Sequence, residues 1–112
     1  MPPVDTLGQF EAWILTAVIT LGPRNAYGMT IHEEVEKLSG RKIVSLGAVY
    51  TTLDRLEAKG MVSSNFADPT PARGGRSKRF FQIEAAGQTA LSHSIEQSTA
   101  MDRALRHARG FA

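Results

Sequence analysis

The spacing of the apolar residues changes once along the chain, at Gly60, and this change limits the folds that the sequence can form. Before Gly60, apolar side chains recur every three or four residues, which is typical of amphipathic helices. After Gly60 they alternate with polar side chains over 62–66 and again over 78–83, which is typical of short strands. Helical spacing returns from about Ala85. The sequence therefore predicts an α+β, mainly α fold with three helices, a two-stranded hairpin and a last helix.

Residues that favour helix ends divide the first part of the chain into three helical segments. Thr6 and Gln9 fit a capping box, which predicts that the first helix begins near Leu7. Ser45 is a good N-cap for the third helix. A glycine closes each segment, at Gly22, Gly40 and Gly60. The predicted helices span 7–21, 27–39 and 45–59.

One hydrophobic core is expected, because 112 residues is close to the usual size of a single domain. The second helix is predicted to supply Ile31, Val35 and Leu38 to this core, and the third helix Leu46, Val49, Leu53 and Leu56. The chain has no cysteine, and its first residues lack the basic and apolar stretches of a signal peptide. The apolar run 13–21 is too short to span a bilayer. We therefore expect a cytoplasmic protein without membrane association.

Charge is distributed unevenly along the chain, although the formal net charge is only +2. The first 40 residues contain two basic and five acidic side chains, whereas residues 41–79 contain eight basic and three acidic ones. The middle of the chain is therefore the candidate surface for binding phosphates.

The third helix has small, hydroxylated and basic side chains on the faces that its apolar residues leave free. Gly47 and Ala48 are short enough for this helix to enter a DNA major groove, which is about 12 Å wide. Arg55 can reach a phosphate or a guanine edge. The candidate hydrogen-bond donors to phosphates are Ser45, Tyr50, Thr51 and Thr52. The alternative is an ordinary solvent-exposed helix face.

The segment between the two predicted strands is rich in Pro, Gly and Arg and is too long for a tight hairpin turn. Four cations lie within seven residues at its end: Arg73, Arg76, Lys78 and Arg79. The glycines beside them allow the backbone to lie close to a phosphate ribbon or to enter a minor groove. We predict a basic wing over 67–78, and the alternative is a plain solvated loop.

Three segments resemble the PadR family of winged helix-turn-helix transcriptional regulators. The run 45–62, SLGAVYTTLDRLEAKGMV, closely resembles the recognition helix of that family and the turn after it. Residues 26–29, AYGM, resemble the start of its second helix, and residues 75–83, GRSKRFFQI, resemble its wing and last strand. The resemblance covers about 8–91. Two positions depart from the family pattern, since Phe81 replaces the usual Tyr and Glu84 replaces the Thr that normally caps the last helix.

The resemblance implies a homodimer that regulates transcription, most often as a repressor relieved by a small aromatic or drug-like effector. In that arrangement 1–84 is the DNA-binding domain and 85–112 is a dimerisation helix in the same compact unit. The first helix would assist, with Phe10 or Trp13 packed against the partner.

The apolar residues of the last helix also favour a dimer. Leu91, Ile95 and Leu105 need a facing surface, because the polar residues between them leave a stripe that cannot bury well alone. A two-fold dimer would place two recognition helices about 34 Å apart, which matches a pseudo-palindromic operator in double-stranded DNA. The alternative is that this helix folds back on its own domain.

Catalysis, cofactors and metal ions are not indicated by the sequence. His32, His93 and His107 lie in three separate segments, without partners at the spacing of a catalytic site. The acidic residues after His32 are typical of the solvated face of a helix rather than of a metal site. The competing functional hypothesis is a winged-helix module that binds protein and not DNA.

Overall fold

Four helices and one two-stranded antiparallel sheet make up the residues that this computed structural model describes, 7–40, 44–67 and 78–110. In chain order the elements are α1 (Gln9–Leu21), α2 (Gly28–Ser39), α3 (Leu46–Ala58), β1 (Val62–Phe66), β2 (Arg79–Ile83) and α4 (Ala85–Ala108). The predicted fold class and order of elements are confirmed. The second strand begins one residue later than predicted.

Local signals determine where α2 and α3 end and begin. Gly40 follows α2 with a φ of 65°, a left-handed conformation in which a side chain would be strained. The Ser45 Oγ accepts a hydrogen bond from the backbone N–H of Ala48 at 3.2 Å, so the predicted N-cap of α3 is confirmed.

The start of α1 differs from the prediction. Gly8 is the N-cap, and its backbone N–H donates to the Glu11 carboxylate at 3.0 Å. The predicted capping box of Thr6 and Gln9 is therefore wrong, because Glu11 supplies the acceptor and the helix begins two residues later. Thr6 itself lies outside the described residues.

A single hydrophobic core lies between the three N-terminal helices, the hairpin and the first turns of α4. Its largest fully buried side chains are Ile14, Leu15, Val18, Ile31, Val35, Val49, Leu53, Leu56, Val62 and Phe81. Each stabilises the fold by about 1.5–3 kcal/mol through removal of apolar surface from water. Leu38 is on the predicted face of α2 but remains 44% exposed. The prediction for Leu38 is wrong because this residue lies in the last turn of α2, beyond Val35, the last buried residue of that helix.

The hairpin is attached to the rest of the molecule through its second strand. β1 and β2 pair with Val62 opposite Ile83, Ser64 opposite Phe81 and Phe66 opposite Arg79. On its other edge, β2 contacts the segment before α2, where the Phe81 N–H donates to the Ala26 carbonyl at 2.8 Å. This contact fixes the hairpin relative to the helix-turn-helix.

The first turns of α4 pack closely against the turn between α3 and β1. A Cβ atom at Gly87 would lie 2.3 Å from the Met61 carbonyl oxygen, so only glycine allows this approach. The Glu84 N–H donates to the same carbonyl at 2.9 Å, and the Glu84 side chain makes no capping hydrogen bond. Ala90 and Leu91 complete the buried part of α4.

Beyond Leu91, α4 exposes its apolar side chains: Ile95 is 58% exposed, Met101 72% and Leu105 50%. No helix within the described ranges has both the length and the apolar character that crossing a membrane requires.

Candidate nucleic-acid interface

The turn between α2 and α3 is held by a side chain of α2. The Nε2–H of His32 donates to the Val44 carbonyl, immediately before the N-cap of α3. Its Nδ1 lies 3.6 Å from a carboxylate oxygen of Glu36, one turn further along α2. The hydrogen bond to Val44 ties α2 to the residue before the N-cap of α3.

The outer face of α3 carries most of the side chains that the sequence analysis assigned to it. The exposed residues on this face are Ser45, Gly47, Ala48, Tyr50, Thr51 and Arg55. Arg55 makes no ion pair with an acid among the residues that the structure describes. Its guanidinium group is therefore available to an anion.

Thr52 is 4% exposed, so its assignment as a hydrogen-bond donor to phosphate is wrong. It lies directly beside the apolar stripe formed by Val49, Leu53 and Leu56, and the packing of α3 against the core covers it. Helical spacing alone does not show how wide the buried stripe is.

Tyr50 extends from α3 across the first residue of α2. A Cβ atom at Gly28 would lie 2.0 Å from the Tyr50 Oη, so the phenol group occupies the space that glycine leaves. Tyr50 is nevertheless 39% exposed. Its hydroxyl therefore lies at the N-terminus of α2, where the helix dipole is positive.

The two cations at the base of the wing differ in their surroundings. The Lys78 ammonium is exposed and lies 4.3 Å from the centre of the Tyr27 ring. Tyr27 packs edge-on against Phe80, with ring centres 5.5 Å apart. The other predicted wing cations, Arg73 and Arg76, lie outside the described residues.

Arg79 is bound to α3 and is not free for a phosphate. Its Nη1 donates to Asp54 at 2.9 Å, its Nη2 donates to Glu57, and its Nε donates to the Ser64 Oγ at 3.0 Å. The guanidinium carbon lies 4.8 Å from the centre of the Phe81 ring. Counting Arg79 among the phosphate-binding cations is therefore wrong, because two carboxylates already neutralise its charge.

The contacts within the cluster of Asp54, Glu57, Ser64 and Arg79 shift the pKa values of Glu57 and Arg79. The hydrogen bond from Ser64 lowers the pKa of Glu57, and Arg79 lowers it further against the opposing effect of burial. Burial alone would lower the pKa of Arg79, but its hydrogen bonds to Asp54 and Glu57 raise that pKa above its ordinary value. Both side chains of this pair are therefore charged at neutral pH. The sequence analysis did not identify Ser64, Asp54 or Glu57 as partners of Arg79.

The predicted dimer residues fall into two groups. Phe10 and Trp13 are half-buried and pack against the hydrophobic core, and Leu91 is 8% exposed. Ile95 and Leu105 extend into solvent.

Comparison with known proteins assigns the family. The sequence model of the transcriptional regulator PadR-like family matches residues 15–93. The chain belongs to the PadR-like family of transcriptional regulators. No protein of curated function matches the sequence significantly.

Solved structures share the fold of this PadR-like regulator. A PadR-family transcription regulator from Clostridium difficile superimposes with a TM-score of 0.71 at 17% identity, covering 89% of this chain and 97% of its own. A PadR-like transcriptional regulator from Bacillus cereus gives a TM-score of 0.66 at 16% identity and covers 88% of each chain. The Aeropyrum pernix ORC1 protein, solved in complex with DNA, gives a TM-score of 0.63 at 24% identity over 84% of this chain and 26% of its own. The family and the fold together make the chain a winged-helix, DNA-binding transcriptional regulator.

Proposed function

We propose that this PadR-like protein represses transcription as a homodimer, with α3 in the major groove of its operator and the wing, residues 67–78, on the backbone or in the minor groove. The observation that supports this most strongly is the attachment of the β1–β2 hairpin to α3. Arg79 begins β2 and binds two acids of α3, so the hairpin and the neighbouring Lys78 are held next to that helix. A single polyanion can therefore contact the outer face of α3 and the wing together.

In this proposal, the short side chains of α3 allow close approach to DNA, and the longer and polar ones contact it. Ala48 leaves room for the helix backbone to approach the base edges. Ser45 and Thr51 are exposed hydroxyls that donate to phosphates, since the Ser45 oxygen accepts from Ala48 and its proton remains available. Arg55 binds a phosphate or the edge of a guanine.

Tyr50 is proposed to bind a backbone phosphate at the N-terminus of α2. Tyr50 is 39% exposed and its hydroxyl lies beside Gly28, where the positive end of the α2 dipole also favours an anion. In the wing, Arg73, Arg76 and Lys78 are proposed to make the remaining backbone or minor-groove contacts.

Dimerisation is proposed to occur through α4, with help from α1. The exposed side chains of Ile95 and Leu105 need a covering surface, and Phe10 and Trp13 contribute from α1. Two recognition helices related by a two-fold axis would read half-sites about 34 Å apart in a pseudo-palindromic operator. Leu91 would then link the dimer surface to the core of its own protomer.

An effector, where one acts, is proposed to be a small aromatic or drug-like molecule bound near Trp13 or Phe10. The chain contains one tryptophan, so its fluorescence reports on this region alone. Binding should change the emission and weaken operator binding. Unchanged emission with every candidate ligand would contradict this part of the proposal. We propose a cytoplasmic protein without catalytic activity or cofactor.

Footprinting on the DNA upstream of its own coding sequence tests the proposal. Two protected half-sites one helical turn apart are expected, with affinity that falls as salt is raised. Arg55→Ala should reduce the protection, whereas Arg103→Ala, the same change of charge on α4, should not. Equal and salt-independent affinity for every duplex would contradict DNA recognition and support a protein-binding module instead.

A further inference from the structure

The cluster around Arg79 joins the two surfaces that the proposed function requires. Asp54 and Glu57 are one turn apart on α3, Ser64 is in the middle of β1, and Arg79 is the first residue of β2. All three nitrogens of the guanidinium fork donate within this cluster. The Ser64 hydroxyl in turn donates to Glu57 at 2.8 Å. The hydrogen bonds therefore link the second half of α3 to both strands of the hairpin.

Arg79 is the first residue of β2, so its hydrogen bonds to α3 hold the hairpin at one end. The register pairs Arg79 with Phe66, the last residue of β1, so the cluster sits where the hairpin opens towards 67–78. Lys78 is the next residue and is exposed. Arg79 therefore holds this end of the hairpin against α3.

We propose that Arg79 is a positioning residue for DNA binding, which acts through Asp54 and Glu57 to fix the distance and angle between α3 and the β1–β2 hairpin. This inference rests on the proposed function. The planar fork is essential to it, because a lysine ammonium cannot donate in three fixed directions to Asp54, Glu57 and Ser64.

The opposite hypothesis is that Arg79 binds a phosphate directly. The two hypotheses predict opposite changes in DNA affinity when Glu57 is substituted. Glu57→Gln removes a negative charge beside the DNA surface, so simple electrostatics predicts tighter binding. A positioning role predicts weaker binding, because the fork loses a charged partner. Arg79→Lys keeps the positive charge, so it preserves a phosphate contact but not the geometry of the cluster.

Fluorescence anisotropy with the full chain and its operator duplex, measured over a series of salt concentrations, provides the test. We expect Glu57→Gln and Arg79→Lys each to weaken binding by about tenfold, comparable to the loss of one charge-assisted hydrogen bond, with the salt slope unchanged. Arg55→Ala serves as the control for a phosphate contact and should lower the slope by about 1. Circular dichroism should show that both cluster variants remain folded.

A distance measurement in the free protein gives a second readout that does not depend on DNA. The chain has no cysteine, so spin labels at Ala48→Cys and Asn65→Cys report only the separation of α3 and the β1–β2 hairpin. With labelled protomers diluted in unlabelled protein, the distance distribution should broaden in Glu57→Gln and Arg79→Lys.

Tighter or unchanged binding by Glu57→Gln, or retained affinity in Arg79→Lys, would overturn the positioning role, as would a distance distribution identical to that of the wild type. If the wild type binds no duplex while the distributions broaden, the DNA-binding proposal fails and the role of Arg79 in holding the hairpin against α3 stands. If binding is specific and the distributions do not change, only the positioning role fails.

Discussion

Two helices of this protein, α3 and α4, each leave a face uncovered, and the two faces have opposite chemistry. The free face of α3 carries short, hydroxylated and basic side chains, whereas the free face of α4 carries Ile95, Met101 and Leu105. Water solvates the first face at little cost, but the second exposes apolar surface that association would remove from water. This difference supports the proposal that α3 contacts DNA and that α4 associates with a second copy of the chain.

The largest expected effect comes from placing charge on the apolar face of α4. Ile95→Glu combined with Leu105→Glu should convert the proposed dimer into monomers and weaken operator binding about 10³-fold, because one half-site no longer raises the local concentration of the other. Sedimentation velocity and anisotropy measure the two effects.

Ala100 is exposed and five residues from both Ile95 and Leu105, so Ala100→Glu adds a negative charge on the opposite side of α4 and should leave both properties unchanged. A double variant that stays dimeric would show that α4 does not carry the interface, and the contrast between the two helices would no longer hold.

The attachment of α4 can be tested at Gly87. Gly87→Ala places a methyl group against the Met61 backbone oxygen, which cannot move aside as a side chain can. We expect a loss of about 3 kcal/mol in the free energy of unfolding, at the upper end for overpacking. Urea denaturation measures it. A loss below that of an ordinary exposed substitution would contradict the close approach of α4 to the turn before β1.

The attachment of α3 to α2 is expected to tolerate a methyl group better, because the obstacle is a side chain. Gly28→Ala displaces Tyr50, for about 2 kcal/mol of stability, and the loss should be smaller in the background Tyr50→Ala. Gly47→Ala is the control, since its nearest neighbour would be the Ser45 Oγ at 3.5 Å, and it should be neutral or stabilising. Strictly additive effects of the Gly28 and Tyr50 substitutions would mean that the two residues do not touch.

The smallest expected effect is the pH dependence of the cluster behind α3. Because folding lowers the pKa of Glu57, its contribution to stability is complete above the ordinary Glu value of about 4.3 and is lost as pH falls through the lowered value. The stability difference between the wild type and Glu57→Gln should therefore shrink on acidification. Denaturation midpoints between neutral pH and acid measure it, and a difference independent of pH would contradict a charged Glu57 in the folded state.

The limits of α3 could be predicted from the sequence because Ser45 and Gly60 act on the backbone beside them. The burial of Leu38 and Thr52 could not, since it depends on how far neighbouring elements reach over each helix. Arg79 is the clearest case. Its partners are 15, 22 and 25 residues away in sequence, so only the folded hairpin brings them together and turns an apparent phosphate-binding cation into a link between elements.

The salt dependence of operator binding tests most directly whether α3 and the wing contact one duplex together. Arg55→Ala and Arg76→Ala should each lower the slope of log affinity against log salt by about 1, and the double variant by about 2, with specific binding retained at low salt. A slope that changes for only one of these variants, or for neither, would contradict the account.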